Sequence, residues 1–123
     1  MRFTVDSIEV GAACTSSQAG PSENGTFIFL TMTIAGEDKL DQPGVSLNPN
    51  GFFIINTETG VREPESITVA TYECVDNAVR LPDQVTRNVT VTGLVVLDTA
   101  VPSGQGAIVW SPDGSGIGWE FSY

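Results

Sequence analysis

Carboxylates are the one abundant reactive group in this chain: fifteen Asp and Glu stand against five Lys and Arg, with no histidine. Two carboxylates held at a fixed separation could perform the acid/base work of a glycosidase. Glu63 and Glu65 alternate on one face around Pro64, and Asp98 ends an apolar run. Each reads as a solvated charge, and none comes with a nucleophile, a base and a stabilising group together. Hard oxygen ligands for calcium are offered by Glu37, Asp38 and Asp41 in one loop, and by Asp113 in another. Neither stretch has the alternating acidic spacing of a calcium loop, and Asp113–Gly114 is ordinary turn chemistry. Without histidine, Ser–His and Cys–His catalysis and imidazole metal ligation fall away. The chain therefore reads as non-enzymatic, with no catalytic residue, cofactor or metal assigned.

Cys14 and Cys74 are the only cysteines, and no Cys-x-x-Cys or ligand cluster surrounds them. Zinc and thioredoxin chemistry are excluded. The pair reads either as one disulfide in an oxidising compartment or as two buried thiols. The bridge is the expectation, because each cysteine ends an apparent strand and precedes a polar loop.

Aromatic side chains gather near the C-terminus. Trp110 is followed by Trp119, Phe121 and Tyr123 at period two, so the last three share a sheet face opposite Glu120 and Ser122. Large apolar area predicts that this face fills the core. The alternative is a protein-binding face anchored by Trp110, Trp119, Phe121 and Tyr123, since Trp and Tyr dominate interface energetics.

A net charge of −10 and a pI near 4.1 describe an acidic surface. Arg2, Lys39, Arg62, Arg80 and Arg87 are scattered. Nucleic-acid binding needs clustered cations that displace counterions, so that partner is excluded. The acidity itself is explained by solubility. No apolar run approaches the ~18 residues of a membrane span, so no membrane insertion is expected. The opening Met-Arg-Phe-Thr-Val is strand-like and carries no signal-peptide pattern. Asn24-Gly25-Thr26 and Asn88-Val89-Thr90 are glycosylation sequons, chance matches in a bacterial protein and exposed loops in a eukaryotic secretory one.

Period-two apolar patterns position these groups, and no stretch holds a helical period for three turns. Phe3, Val5, Ile8 and Val10 mark a first strand whose alternation slips near Asp6–Ser7, as at a bulge. Cys14–Asn24 is a loop. In Thr26–Ala35, Ile28, Leu30, Met32 and Ile34 take one face and Thr31 and Thr33 the other, which predicts one buried and one wet side. A short edge strand is expected near Val45–Leu47. Gly51–Asn56 is apolar on both faces and reads as central, with a turn at Thr57–Gly60. Ser66–Cys74 is β-branched and reads as a further strand. The one helix candidate is Asp76–Leu81, capped by Asp76 and stopped by Pro82. Asn88–Val101 is a long strand bent at Gly93, and Ala107–Trp110 pairs with Gly118–Tyr123 across a hairpin loop. About seven or eight short strands argue for one all-β domain over residues 1–123, a sandwich or a barrel.

The run from Gly25-Thr26-Phe27-Ile28-Phe29-Leu30 to Phe52–Ile55 with Thr59–Gly60, then Gly93-Leu94-Val95-Val96-Leu97-Asp98 with Val101–Pro102, and a terminal Trp119–Tyr123 resembles a known family. It is similar to the telokin-like, immunoglobulin-like domains of secreted actinobacterial proteins and lipoproteins, of the type of the mycobacterial immunoprotective extracellular antigen. The resemblance covers residues 3–123 and implies an immunoglobulin-like antiparallel β-sandwich on a secreted or cell-surface protein, with no catalytic residues. Many such proteins carry a lipidated cysteine after the signal sequence. Cys14 lies too far inside a strand–loop pattern to be that residue. Tyr72-Glu73-Cys74 also looks like the Tyr-x-Cys of an antibody F strand, but no tryptophan lies between the two cysteines and too much chain follows Cys74. Two functions follow as expectations: a protein-binding or adhesion module outside the cytoplasm, or a structural spacer of a larger exported protein.

Overall fold

The computed structural model describes residues 2–37, 44–47, 51–112 and 118–123. It is an all-β antiparallel sandwich. The strands are β1 (Arg2–Val10), β2 (Thr26–Ala35), β3 (Gly44–Ser46), β4 (Phe52–Asn56), β5 (Gln84–Thr86), β6 (Thr90–Thr99), β7 (Gly106–Trp110) and β8 (Trp119–Ser122), with one helix, α1 (Val69–Cys74), between β4 and β5. One sheet has the order β1-β2-β6 and the other β4-β7-β8, while β3 and β5 pair with each other. These are the A-B-E and C-F-G pairings of an immunoglobulin sandwich.

The inner faces meet as the alternation requires. Ile28, Leu30, Met32 and Ile34 from β2 are fully buried, as is Ile54 of β4, and they share one core with Phe52, Val95, Leu97, Ile108 and Trp110. The pairing of β1 with β2 shifts between Val5 and Ser7, so the slip in alternation is a bulge. Leu47, which follows β3, and Val85 of β5 join the same core.

Three expectations about the strands are overturned. Ser66–Cys74 is not a strand: Val69–Cys74 is helical, with Ala70, Thr71 and Cys74 buried. Its β-branched residues favour strand by propensity, but anchorage at both ends decides. Thr68 is held by Asp98, Glu23 accepts from the Ala70 amide, and Cys74 is bridged to Cys14. The Tyr-x-Cys likeness to an F strand goes with that strand. Second, the outer face of β2 is not simply wet. Phe27 and Phe29 are buried beneath α1, in a second cluster with Ala12, Ala70, Cys74, Val75 and Val96. Third, β4 lies at a sheet edge, and β7 is central. Its second apolar face is covered instead by the following segment, where Arg62 lies 3.9 Å over the Phe53 ring and bridges to Ile55.

The expected helix over Asp76–Leu81 is a single 3₁₀ turn at Asn77–Val79, and Asp76 makes no side-chain cap bond. Past it, the chain crosses β6 at Gly93. A Cβ there would sit 2.6 Å from the Arg80 carbonyl carbon and the Leu81 Cα, so the glycine permits this crossing.

Candidate functional site

The Cys14–Cys74 disulfide is present, but neither cysteine ends a strand. Cys14 lies in the loop after β1 and Cys74 is the last residue of α1. The amides of Thr15 and Ser16 both donate to the Cys74 carbonyl at 3.0 Å. The bridge therefore fastens α1 to the outer face of the β1-β2-β6 sheet rather than joining the two sheets.

The C-terminal aromatics divide. Trp110 is fully buried, stacked on Phe52 at 5.5 Å and 3°. It is a core residue, not an exposed anchor. Its indole Nε1 is buried with no partner among the described residues. Trp119 pairs with it across β7–β8 and packs edge-on against Phe3 at 4.9 Å, yet remains 46% exposed. Phe121 and Tyr123 pack against the core. The Tyr123 hydroxyl donates to the Val101 carbonyl at 2.9 Å, and its backbone exchanges bonds with Gly104 and Gly106. Burial holds this hydroxyl above the ordinary tyrosine range; a hydrogen bond with Thr99 opposes the rise and Glu63 adds to it. Phe121 and Tyr123 thus pack inward, and of these four aromatics Trp119 is the one that offers the surface substantial area.

Of the three carboxylates expected to be solvated, Glu65 is exposed, but Asp98 and Glu63 are held by the protein. Asp98 is fully buried. It accepts from the Ser22 and Thr68 hydroxyls and from the amides of Glu23 (2.8 Å) and Asn24 (3.1 Å). Glu63 accepts from Ser66, from Thr99 and from the Ala100 amide at 2.8 Å. Asp98 thus holds the end of the polar loop that leads into β2 and the start of α1, and Glu63 holds Ser66 and the end of β6. Among the described residues no three acidic or thiol groups converge on a metal position. Glu37 is exposed, and Asp38, Asp41 and Asp113 lie outside the described residues. Of the sequons, the Asn24 amide is engaged with the Glu65 and Asp98 carbonyls, while Asn88 is exposed.

What the sequence did not reveal is a cleft of about 250 Å³ between α1, the 3₁₀ turn and β6. Its floor includes Phe52, Val95 and Val96, and Ile67, Tyr72 and Arg80 stand around it. The Arg80 guanidinium reaches across to donate through Nη2 to the Thr71 carbonyl, and lies 5.7 Å from the Tyr72 ring. Its Nε is buried without a partner among the described residues. Burial holds the group below its ordinary pKa, with Tyr72 acting in the opposite direction. Val69 (67%), Tyr72 (52%) and Val79 (46%) leave large apolar side chains exposed on the same shoulder. Reading Ser66–Cys74 as a strand hid this site. The small buried residues Ala70 and Cys74, four apart, were the available signal of a helix face.

The fold and these features define a disulfide-braced immunoglobulin-like sandwich with a helix packed on its outer sheet. Comparison with known protein families, curated proteins and solved structures finds no match.

Proposed function

We propose that this domain is an exported, non-enzymatic binding module that presents the α1–β6 cleft to a protein partner at the cell surface or in secretion. The observation that carries the reading is the cleft itself: a concave apolar floor with a half-buried cation and an exposed aromatic on its rim. Binding sites combine these elements, apolar walls for affinity and a few polar groups for orientation. Its volume is small, which suits one chain segment or a small group rather than a broad docking face. The disulfide supports export, because such bridges persist in oxidising compartments. The resemblance to secreted immunoglobulin-like domains points the same way.

The test is an amide-resonance titration of the intact chain with small fragments and short peptides. Shifts clustered on Tyr72, Arg80 and Leu94–Val96 are expected. Shifts clustered on Trp119 would move the binding face to the β7–β8 hairpin. A chain that responds to nothing is a spacer domain, and the proposal fails.

A further inference from the structure

The strand β1 forms one edge of the β1-β2-β6 sheet, and among the described residues no strand pairs with it on its far side. Unlike β6, whose residues 95–99 are buried, β1 is exposed or half-exposed along its whole length. In an antiparallel ladder, residues bonded to the neighbouring strand alternate with residues whose N–H and C=O face away from it. The Gly11 amide donates to the Phe27 carbonyl at 2.9 Å. Next in register, Val10 lies opposite Ile28, Glu9 opposite Phe29 and Ile8 opposite Leu30. Glu9 therefore bonds to β2, while Val10 and Ile8 face outward. The bulge absorbs Asp6, so Val5 opposite Met32 and Phe3 opposite Ile34 continue the outward row. The side chains of Phe3, Val5 and Ile8 pack toward the core, and those of Arg2, Thr4, Ser7 and Glu9 lie on the outer face. Two exposed apolar groups flank this edge: Val10 (38%), and Trp119 (46%), whose ring centroid lies 4.9 Å from that of Phe3. The free edge of the other sheet is β8, four residues long. The Tyr123 amide donates to the Gly106 carbonyl, so Glu120 and Ser122 face outward there. A short edge bearing a charge resists pairing.

We infer that β1 is the joint of a homodimer, in which a second copy of the chain lays its own β1 antiparallel to it across a two-fold axis at Val5. Phe3 then bonds to Ile8 of the second copy, Val5 to Val5 and Ile8 to Phe3, each pair exchanging both main-chain bonds. On the outer face this register sets Arg2 against Glu9 of the second copy and, by symmetry, Glu9 against Arg2. Opposite charges facing one another across a strand pair stabilise it. Arg2 is the one cation in β1, and both it and Glu9 are exposed. Sliding the strands by one bonded pair places Asp6 and Ser7 against their own copies, which opposes like charges. The charge pattern is thus self-complementary in one register, which selects a second copy as the occupant. The bulge hinders a straight foreign strand. A joint of this length is small, so association is reversible and depends on concentration. The result is one continuous sheet in the order β6-β2-β1-β1-β2-β6. Both clefts stay open at its far edges, so the inference goes beyond the binding reading and stands without it.

The experiment follows the intact disulfide-bonded chain by sedimentation equilibrium from micromolar to millimolar concentration, with amide hydrogen exchange at both ends of that range. A reversible dimer is expected, with exchange of the Phe3, Val5 and Ile8 amides slowing as it fills. Arg2→Glu and Glu9→Arg should each weaken association about tenfold, since two facing pairs turn from attraction to repulsion. The double reversal Arg2→Glu with Glu9→Arg should restore it. Both side chains are exposed on an edge strand, so the melting temperature of each dilute variant serves as the control for folding. A chain that stays monomeric at millimolar concentration overturns the inference and leaves the cleft reading untouched. Dimers that protect Glu120 and Ser122 instead put the joint on β8, contrary to the proposal. Single reversals that associate as well as the unaltered chain, or a double reversal that restores nothing, overturn the register and with it the choice of a second copy.

Discussion

Asp98 shows how much one side chain organises. It is a buried carboxylate whose oxygens accept from two hydroxyls and two amides, drawn from the loop before β2 and the start of α1. Removing it leaves several donors without an acceptor, each worth about 1–3 kcal/mol when buried. Asp98→Ala should lower unfolding free energy by about 3 kcal/mol or more in urea titrations, and Thr68→Ala by about 1 kcal/mol. Equal losses from the two would show that the carboxylate is no hub. The tryptophans give a second contrast. Trp110 is enclosed, so Trp110→Ala should destabilise by about 3–5 kcal/mol. Trp119 is half-exposed and packs its ring against Phe3 and Trp110. Trp119→Ala should cost about 1–2 kcal/mol, less than a core position would. Matching melting temperatures for the two variants would contradict their different burial.

At the scale of elements, α1 is the dependent part. Six residues cannot hold a helix alone, since nucleation is unfavourable and few bonds follow it. Packing of Ala70 and Cys74 on Phe27 and Phe29, with the disulfide at one end, supplies the rest. The bridge closes a loop of 60 residues, worth about 4 kcal/mol in the chain-entropy account. Reduction should therefore lower global stability by that order and release α1 before the sandwich opens. In hydrogen exchange, the helical amide of Cys74 should lose protection first while those of β2 and β7 persist. Simultaneous loss throughout would make α1 part of the central cooperative unit instead.

For the whole molecule, the charge is the dominant feature. A net charge of −10 on 123 residues makes compactness work against self-repulsion. Added salt shortens the screening length from about 30 Å at 0.01 M to about 8 Å at 0.15 M. The melting temperature at pH 7 should rise by a few degrees across that range, and solubility should be lowest near the pI of about 4.1. A melting temperature that falls with salt would mean that attractive pairs outweigh the repulsion. The same acidity disfavours anionic partners in general.

The sequence by itself determined the β class, the inward face of β2, the bulge near Asp6 and the hairpin of β7 with β8, because a period-two apolar pattern can bury one face only as a strand. It also made the disulfide the expectation over two buried thiols, although the strand ends from which that was argued are a loop and a helix end. Tertiary structure decided what local pattern could not. Whether Val69–Cys74 coils or extends depends on Asp98, Glu23 and Cys14, all distant in sequence, and they outweigh β-propensity differences that span about 1 kcal/mol. Apolarity on both faces of β4 reports burial, not position, so a sheet edge covered by Arg62 looks the same in sequence as a central strand. Asp98 reads as a surface charge until the loop folds over it. The cleft follows from the same long-range choices: it exists because α1 sits on the outer sheet and β5 pairs with β3, which leaves the edge of β6 without a neighbouring strand.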